Sequence, residues 1–359
     1  MKNVIFITSL ICCLLPILGF GQGFEKVYNS PAYGGLSDVF FLNDSVGYVI
    51  GKGASFSSTS AFLEKTTDGG SSWQTVPSVT GKRLIDIEFV SQDTGFISGA
   101  SGQFYTTVDG GNTWVNKSIP TTFSLNEMSF INGQTGYILG SDPDPSYQNH
   151  LFKTVDGGNS FIDISLGTSS TIWDLHFFND STGFLGSIWD VQKVTVRDSL
   201  ATRSSNFPTN NIVGLQFLND SLGFFASKNG LVFKTTNGGD SWVSKYVGAQ
   251  VQLQEIHFIN ELTGWTAGYS DSRIFFTFDG GDSWRAGSIP DTSAFSLVHA
   301  SHLISPTYGY IIGQYDDRGK GYGLFRFGKS SARGNLNAVH GKVVQSTDTS
   351  CSFPLQGDP

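Results

Sequence analysis

"LIDIEFVSQDTGFISGASGQFYTTVDGGNTWVNKSI" (residues 84–119) packs four short β-like segments into one continuous stretch. "LIDIEF" alternates apolar and acidic residues. A polar turn leads to "GFISG", a second turn leads to "QFYTT", and "DGGNT" brings the chain into "TWVNKSI". Period-two alternation, β-branched and aromatic side chains, and Gly/Asn/Asp/Ser punctuation mark strands joined by tight turns.

The same unit recurs along the chain. Its turn motif reads "FLNDSVGYVIG", "FVSQDTGFISG", "FINGQTGYILG", "FFNDSTGFLG", "FLNDSLGFFA", "FINELTGWTAG" and "ISPTYGYIIG". The central glycines are Gly47, Gly95, Gly136, Gly183, Gly223, Gly264 and Gly309, spaced by 48, 41, 47, 40, 41 and 45 residues. Seven repeats of four strands, without an amphipathic helix, predict an all-β fold: a seven-bladed β-propeller of four-stranded antiparallel blades. The last unit, Leu297 to about Phe327, lacks a fourth strand, whereas "GFEKVYNS" (23–30) resembles one and precedes the first unit. Phe24–Tyr28 is therefore expected to form the outer strand of the seventh blade and close the ring.

A second motif returns five times: "KTTDGGSSW", "TTVDGGNTW", "KTVDGGNSF", "KTTNGGDSW" and "FTFDGGDSW". An enzyme needs one active site, so five copies point to a structural joint. The glycines permit positive φ, the Asp and Ser/Thr side chains bond the turn's own backbone, and the aromatic ring buries beneath it. The pairs assigned to this role are Asp68 with Trp73, Asp109 with Trp114, Asp156 with Phe161, Asn237 with Trp242, and Asp279 with Trp284. The fourth unit (189–207) has no such motif. Asn-Asp-Ser in three other turns is read likewise as a turn builder rather than a Ca²⁺ loop.

The form [ST]-x-[DN]-G-G-x-[ST]-[WF] resembles the Asp-box, or BNR repeat, of sialidases, sortilin-type receptors and some glucanases. Together with "TG[YF]" and the acidic first strand, it resembles the Ycf48/Hcf136-like family over about residues 24–328. That resemblance implies a seven-bladed propeller whose founding members assist photosystem II assembly, with the box on the periphery between third and fourth strands. Asn237, Phe161 and the box-less fourth unit depart from the pattern, and this acidic chain shows no counterpart of a basic docking surface.

Charged residues make up 14% of the chain, against about 25% in ordinary domains, while aromatics reach 14% and glycines number 44. The formal charge of −8, without a Lys/Arg cluster, argues against nucleic acid and anionic membranes. Lys2 followed by the apolar run Val4 to Leu18 has the layout of a signal peptide, expected at 1–21. The mature chain is expected to be secreted, periplasmic or at the cell surface, monomeric, and not membrane-inserted. The propeller is placed at 22–329, and a poorly ordered tail at 330–359. Cys351 is then the lone cysteine, which excludes an internal disulfide and a cysteine metal cluster.

The first strands, which line a propeller's channel, carry Asp38, Asp86, Glu127, Asp174, Gly214, Glu255 and His299 at their third position. Two readings of this ring stand. It holds Ca²⁺ through oxygen ligands, or each carboxylate bonds the neighbouring blade around a wet channel. No other cofactor is expected. The irregular loops 51–62, 141–150, 189–207 and 313–323 hold Tyr147, Trp189, Tyr315 and Tyr322, residue types favoured at interfaces with a protein or glycan partner. The resulting expectation is a non-catalytic binding or assembly scaffold. The alternative is a glycoside hydrolase, xyloglucanase-like or sialidase-like, although the eight arginines include no clamp motif.

Overall fold

The computed structural model describes residues 25–29, 35–52, 61–79, 81–142, 149–166, 172–187, 189–197, 200–208, 212–248, 251–268, 273–288, 297–305, 308–315, 321–328, 338–339 and 342–343. The chain folds as a seven-bladed propeller of four-stranded antiparallel sheets. The innermost strands of blades one to seven are Gly35–Phe41, Leu84–Phe89, Ser124–Phe130, Ile172–Phe177, Ile212–Phe217, Leu253–Phe258 and Leu297–Ser305. Blades three and four are joined at their outer edges by one parallel bridge, Ser165 to Leu200. The box-less fourth blade ends instead in a long hairpin, Asp190–Arg197 against Leu200–Pro208.

The ring closes as expected from the repeat count. Glu25–Asn29 pairs antiparallel with Gly321–Phe327 and completes the seventh blade. Arg326 adds an ion pair to Glu25 across this joint. Phe24 and the expected signal segment lie outside the described residues, as does most of the tail, where a two-stranded hairpin joins Ala338–Val339 to Lys342–Val343.

The core is divided among the seven joints between blades. Each joint has its own buried apolar cluster, for example Tyr48, Ile50 and Leu63 of blade one against Ile87, Phe89 and Trp114 of blade two. The repeated "TG[YF]" explains how each joint is built. In all joints but that between blades six and seven, where Trp265 meets Leu303, the aromatic after the glycine stacks on the Phe that ends the next blade's innermost strand, with centroids 3.6 Å apart for Phe96–Phe130 and Tyr137–Phe177, and 3.7 Å for Phe224–Phe258. Tyr310 on Phe41, also at 3.6 Å, makes the same contact across the closure. Such a pair contributes about 0.5–1.5 kcal/mol beyond its buried area.

The motif glycine is required for space. A Cβ at Gly136 would lie 2.3 Å from the Phe130 ring, and every such glycine from Gly47 to Gly264 faces its own Phe in the same way. Cross-strand glycine lets the ring lie flat on the sheet. Gly136→Ala is expected to destabilise the fold by about 1–3 kcal/mol through overpacking. Thermal denaturation checks this: an unchanged melting temperature would mean that the ring does not need the vacant face.

Candidate functional site

Strand register sorts the loops onto two faces. Gly35, Lys52 and Ala61 pair at one end of blade one, whereas Phe41, Gly47 and Thr66 pair at the other. All connections between second and third strands therefore share one face, here the upper, with the start of each innermost strand. The boxes and the Asn-led turns share the lower face.

On the lower face the box is a closed hydrogen-bond unit. Thr66 Oγ1 donates to Asp68 Oδ1 (2.8 Å) and accepts from Gly70 N (2.9 Å); Asp68 accepts from Ser72 N (2.8 Å) and Ser72 Oγ (2.6 Å). The same set recurs at Asp109, Asp156 and Asp279, and Asn237 keeps it by donating its amide to Ser241 Oγ. Both box glycines have positive φ, 64° and 70° at Gly110 and Gly111. Gly110 N donates to Asp93 O, tying the box to the turn between first and second strands. Gly110 O accepts from Tyr48 and Lys65 of the preceding blade, so the box is also an inter-blade joint. Trp114 and Trp242 are buried beneath their turns, while Trp73, Phe161 and Trp284 are half-buried. The Asn-led turns are builders as well: Asn43 Oδ1 accepts from Ser45 N and Val46 N.

The channel is built by a repeated β-bulge. In every innermost strand the register slips by one residue, as between Leu36 and Asp38. The extra residue of each bulge turns toward the upper mouth, and the next one enters the channel. In the seventh blade the slip falls between Val298 and Ala300, so Ala300 is the partner of Asp38 in the ring and His302 the partner of Phe40. This corrects the assignment of His299 to the carboxyl ring. His299 is the bulge residue, its ring tilted against that of Tyr322 with centroids 5.0 Å apart. The sequence carried a signal for this offset: apolar residues three apart, Leu36 to Val39 or Leu84 to Ile87, break strict alternation where the bulge lies.

The carboxyls bond the neighbouring blade. Asp38 accepts from Ile87 N (3.0 Å), Asp86 from Met128 N (2.8 Å), Glu88 from Phe130 N (3.0 Å) and Asp174 from Leu215 N (2.6 Å). Neutral residues do the same deeper in the channel, where Ser129 Oγ accepts from Phe177 N and Gln216 Oε1 from Phe258 N. Glu255 Oε1 accepts from Ser301 Oγ at 2.7 Å. Among the described residues no group of three or more His, Cys, Asp or Glu side chains is placed to hold a metal ion.

These groups enclose a cavity of about 300 Å³. Burial pushes Asp38 and Asp174 up to about 7 and Glu255 up to about 8. Burial also holds Asp86 and Glu127 well above the usual carboxylate range, reinforced by their acidic neighbours. Beyond its burial, the acidic Asp38 beside it is the next cause that raises Asp86. At the mouth sequence reasoning missed Arg83 and Trp173, whose indole is 54% exposed. Of the expected loop residues, Trp189 is exposed on the same face, and Tyr322 is half-buried against the closure core rather than free. Tyr315 ends a second strand on that face, and Tyr147 lies outside the described residues.

A family model described as "Photosynthesis system II assembly factor YCF48" matches residues 71–171. Among solved structures, YCF48 bound to D1 peptide is 16% identical, with a TM-score of 0.63 over 87% of this chain and 99% of that one. YCF48 from Cyanidioschyzon merolae is 14% identical, with a TM-score of 0.61 over 85% and 99%. The chain is Ycf48-like in repeat and fold. A catalytically inactive virginiamycin B lyase from Staphylococcus aureus with quinupristin has a TM-score of 0.65 at 10% identity over 84% of this chain and 98% of that one, so the architecture alone does not separate binder from enzyme. No curated protein matches the sequence.

Two predictions follow from the bonding. Asp109→Ala removes an acceptor that orders the turn, and is expected to cost on the order of 1–3 kcal/mol. Trp114→Ala is expected to cost about 3–5 kcal/mol by leaving a cavity. Chemical denaturation of both variants checks the order.

The second concerns pH. The raised channel carboxyls favour the fold fully below the unfolded range of about 4, and that contribution is lost as pH rises through about 7 to 8. Asp68 and Asp109 are held down to about 2 by bonds from Ser72 and Thr113, and their contribution is lost as pH falls below about 4. The melting temperature is expected to peak near about pH 4–5 and decline on both sides. Glu127→Gln should flatten the alkaline limb. A melting temperature constant from about pH 5 to about pH 9 would contradict the assignment.

Proposed function

We propose that this chain is a non-catalytic scaffold that binds a protein partner on its upper face, outside the cytoplasm. One observation carries the reading. The box residues and most of the channel carboxyls are engaged in holding turns and neighbouring blades together, which leaves the upper-face mouth and loops as the surface available for recognition. The existence of a YCF48 structure bound to a peptide supports a protein ligand over a glycan. The apolar run Val4 to Leu18 supports export and a partner in the envelope or medium. The photosystem role belongs to the YCF48 proteins; what this chain shares with them is the scaffold.

A glycoside hydrolase is the second reading, favoured by the enclosed carboxyls with raised proton affinity, since a catalytic acid must be protonated at neutral pH. Against it, those groups spread over several blades and most already accept a bond from a neighbouring blade.

Cross-linked capture from the source organism's envelope fraction separates the two. Trp189→Ala, on the upper face, is expected to reduce capture, and Val108→Ala, also exposed but on a lower-face box, is expected to leave it unchanged. Hydrolysis of xyloglucan, other β-glucans or sialosides, abolished by one Asp or Glu substitution in a folded protein, would overturn the scaffold reading. Calorimetry with Ca²⁺ alone tests the channel as a metal site.

A further inference from the structure

We infer that the channel mouth seats one Lys or Arg side chain of the protein partner, with its cationic head among the channel carboxyls and its stem against Trp173. This rests on the scaffold reading and names the chemistry of the partner. The cavity of about 300 Å³ lies at the lower end of ligand sites, roughly 300–1,000 Å³, and suits one long side chain better than a branched sugar. Its acidic lining comes from five blades: Asp38, Asp86 with Glu88, Glu127, Asp174 and Glu255. Among the described lining residues Arg83 is the one Lys or Arg, held at the rim beside Ser37. His176 and His257 face the channel deeper down, and His299 faces the mouth.

Glu255 points to the ligand. Its Oε1 takes the Ser301 hydroxyl, whereas its enclosed Oε2 has no hydrogen-bond donor among the described residues. A buried carboxyl oxygen without a partner is costly, and an ammonium or guanidinium supplies one as the carboxyl ionises. Trp173 is the second pointer. Its bulge holds a half-exposed indole over the cavity, where its face suits the stem and charge of such a side chain. The carboxyls are held toward their neutral forms by burial, so seating a cation ionises at least one of them and releases a proton.

The probe is a bead library of blocked heptapeptides, random at the flanks, with Arg, Lys, citrulline or norleucine at the centre, presented to the full chain. Arg- and Lys-centred peptides are expected to be retained, and citrulline and norleucine ones not. Retained peptides should bind Glu255→Gln and Trp173→Ala about tenfold or more weakly. They should bind more tightly from about pH 6 to about pH 9, with buffer-dependent heats that report proton release. Because Trp173 is exposed, its variant tests the site even if Glu255→Gln fails to fold. Retention that ignores the central residue, or binding unchanged in both variants, would overturn the inference and leave the scaffold reading standing. Retention of no peptide at all would overturn both.

Discussion

The innermost strand of each blade presents an unpaired edge to the channel, and the rest of the structure depends on satisfying that edge. A sheet edge buried without partners leaves backbone N–H groups at a cost of about 1–3 kcal/mol each. Here the preceding blade supplies an acceptor: Asp38 for Ile87 N, Asp86 for Met128 N, Asp174 for Leu215 N, and Ser129 or Gln216 one step deeper. The acidic ring is therefore a consequence of closing a ring of sheets. The acceptors accumulate in a narrow channel, and their burial, reinforced by mutual repulsion, raises their proton affinity.

The same blade-to-blade order governs the periphery. The motif aromatic reaches forward onto the next blade's Phe, as Tyr48 does onto Phe89, and the same Tyr48 hydroxyl and Lys65 reach forward to the next box carbonyl, Gly110 O. At the closure Tyr310 and Arg326 of blade seven bond Gly69 O of blade one. A ring whose first and last strands share a blade thus uses the same joint chemistry at its closure as between consecutive blades.

How far this was legible in the sequence depended on whether a feature repeats. Seven glycines and five boxes disclosed blade count, strand number and closure, because each repeat independently states the same local solution. The N-terminal strand was legible because the last unit was visibly one strand short. The ring positions were legible for Asp38, Asp86, Glu127, Asp174 and Glu255, but not for blade seven. There "SLVHASHL" lacks the acidic marker, and a bulge shifts the frame by one, replacing His299 with Ala300. Trp173 escaped notice for the same reason: it occupies a bulge, where the period of two that identifies facing residues is broken.

Partner identity was not legible because it depends on positions that do not repeat. The lower face is saturated by turn bonds that every blade needs, so substitutions there act first on stability. On the upper face the bulge residues differ from blade to blade: Ser37, Ile85, Asn126, Trp173, Val213, Gln254 and His299 share a register position and nothing else. A position fixed in geometry yet free in chemistry is where a symmetric scaffold acquires asymmetry. Blade four combines the exposed Trp173 at its bulge with the exposed Trp189 at its loop, and it alone replaces the box with a long hairpin among the blades that continue through four consecutive strands. That concentration of departures gives the upper face a direction, from the tryptophans of blade four across the acidic mouth to Arg83 between blades one and two.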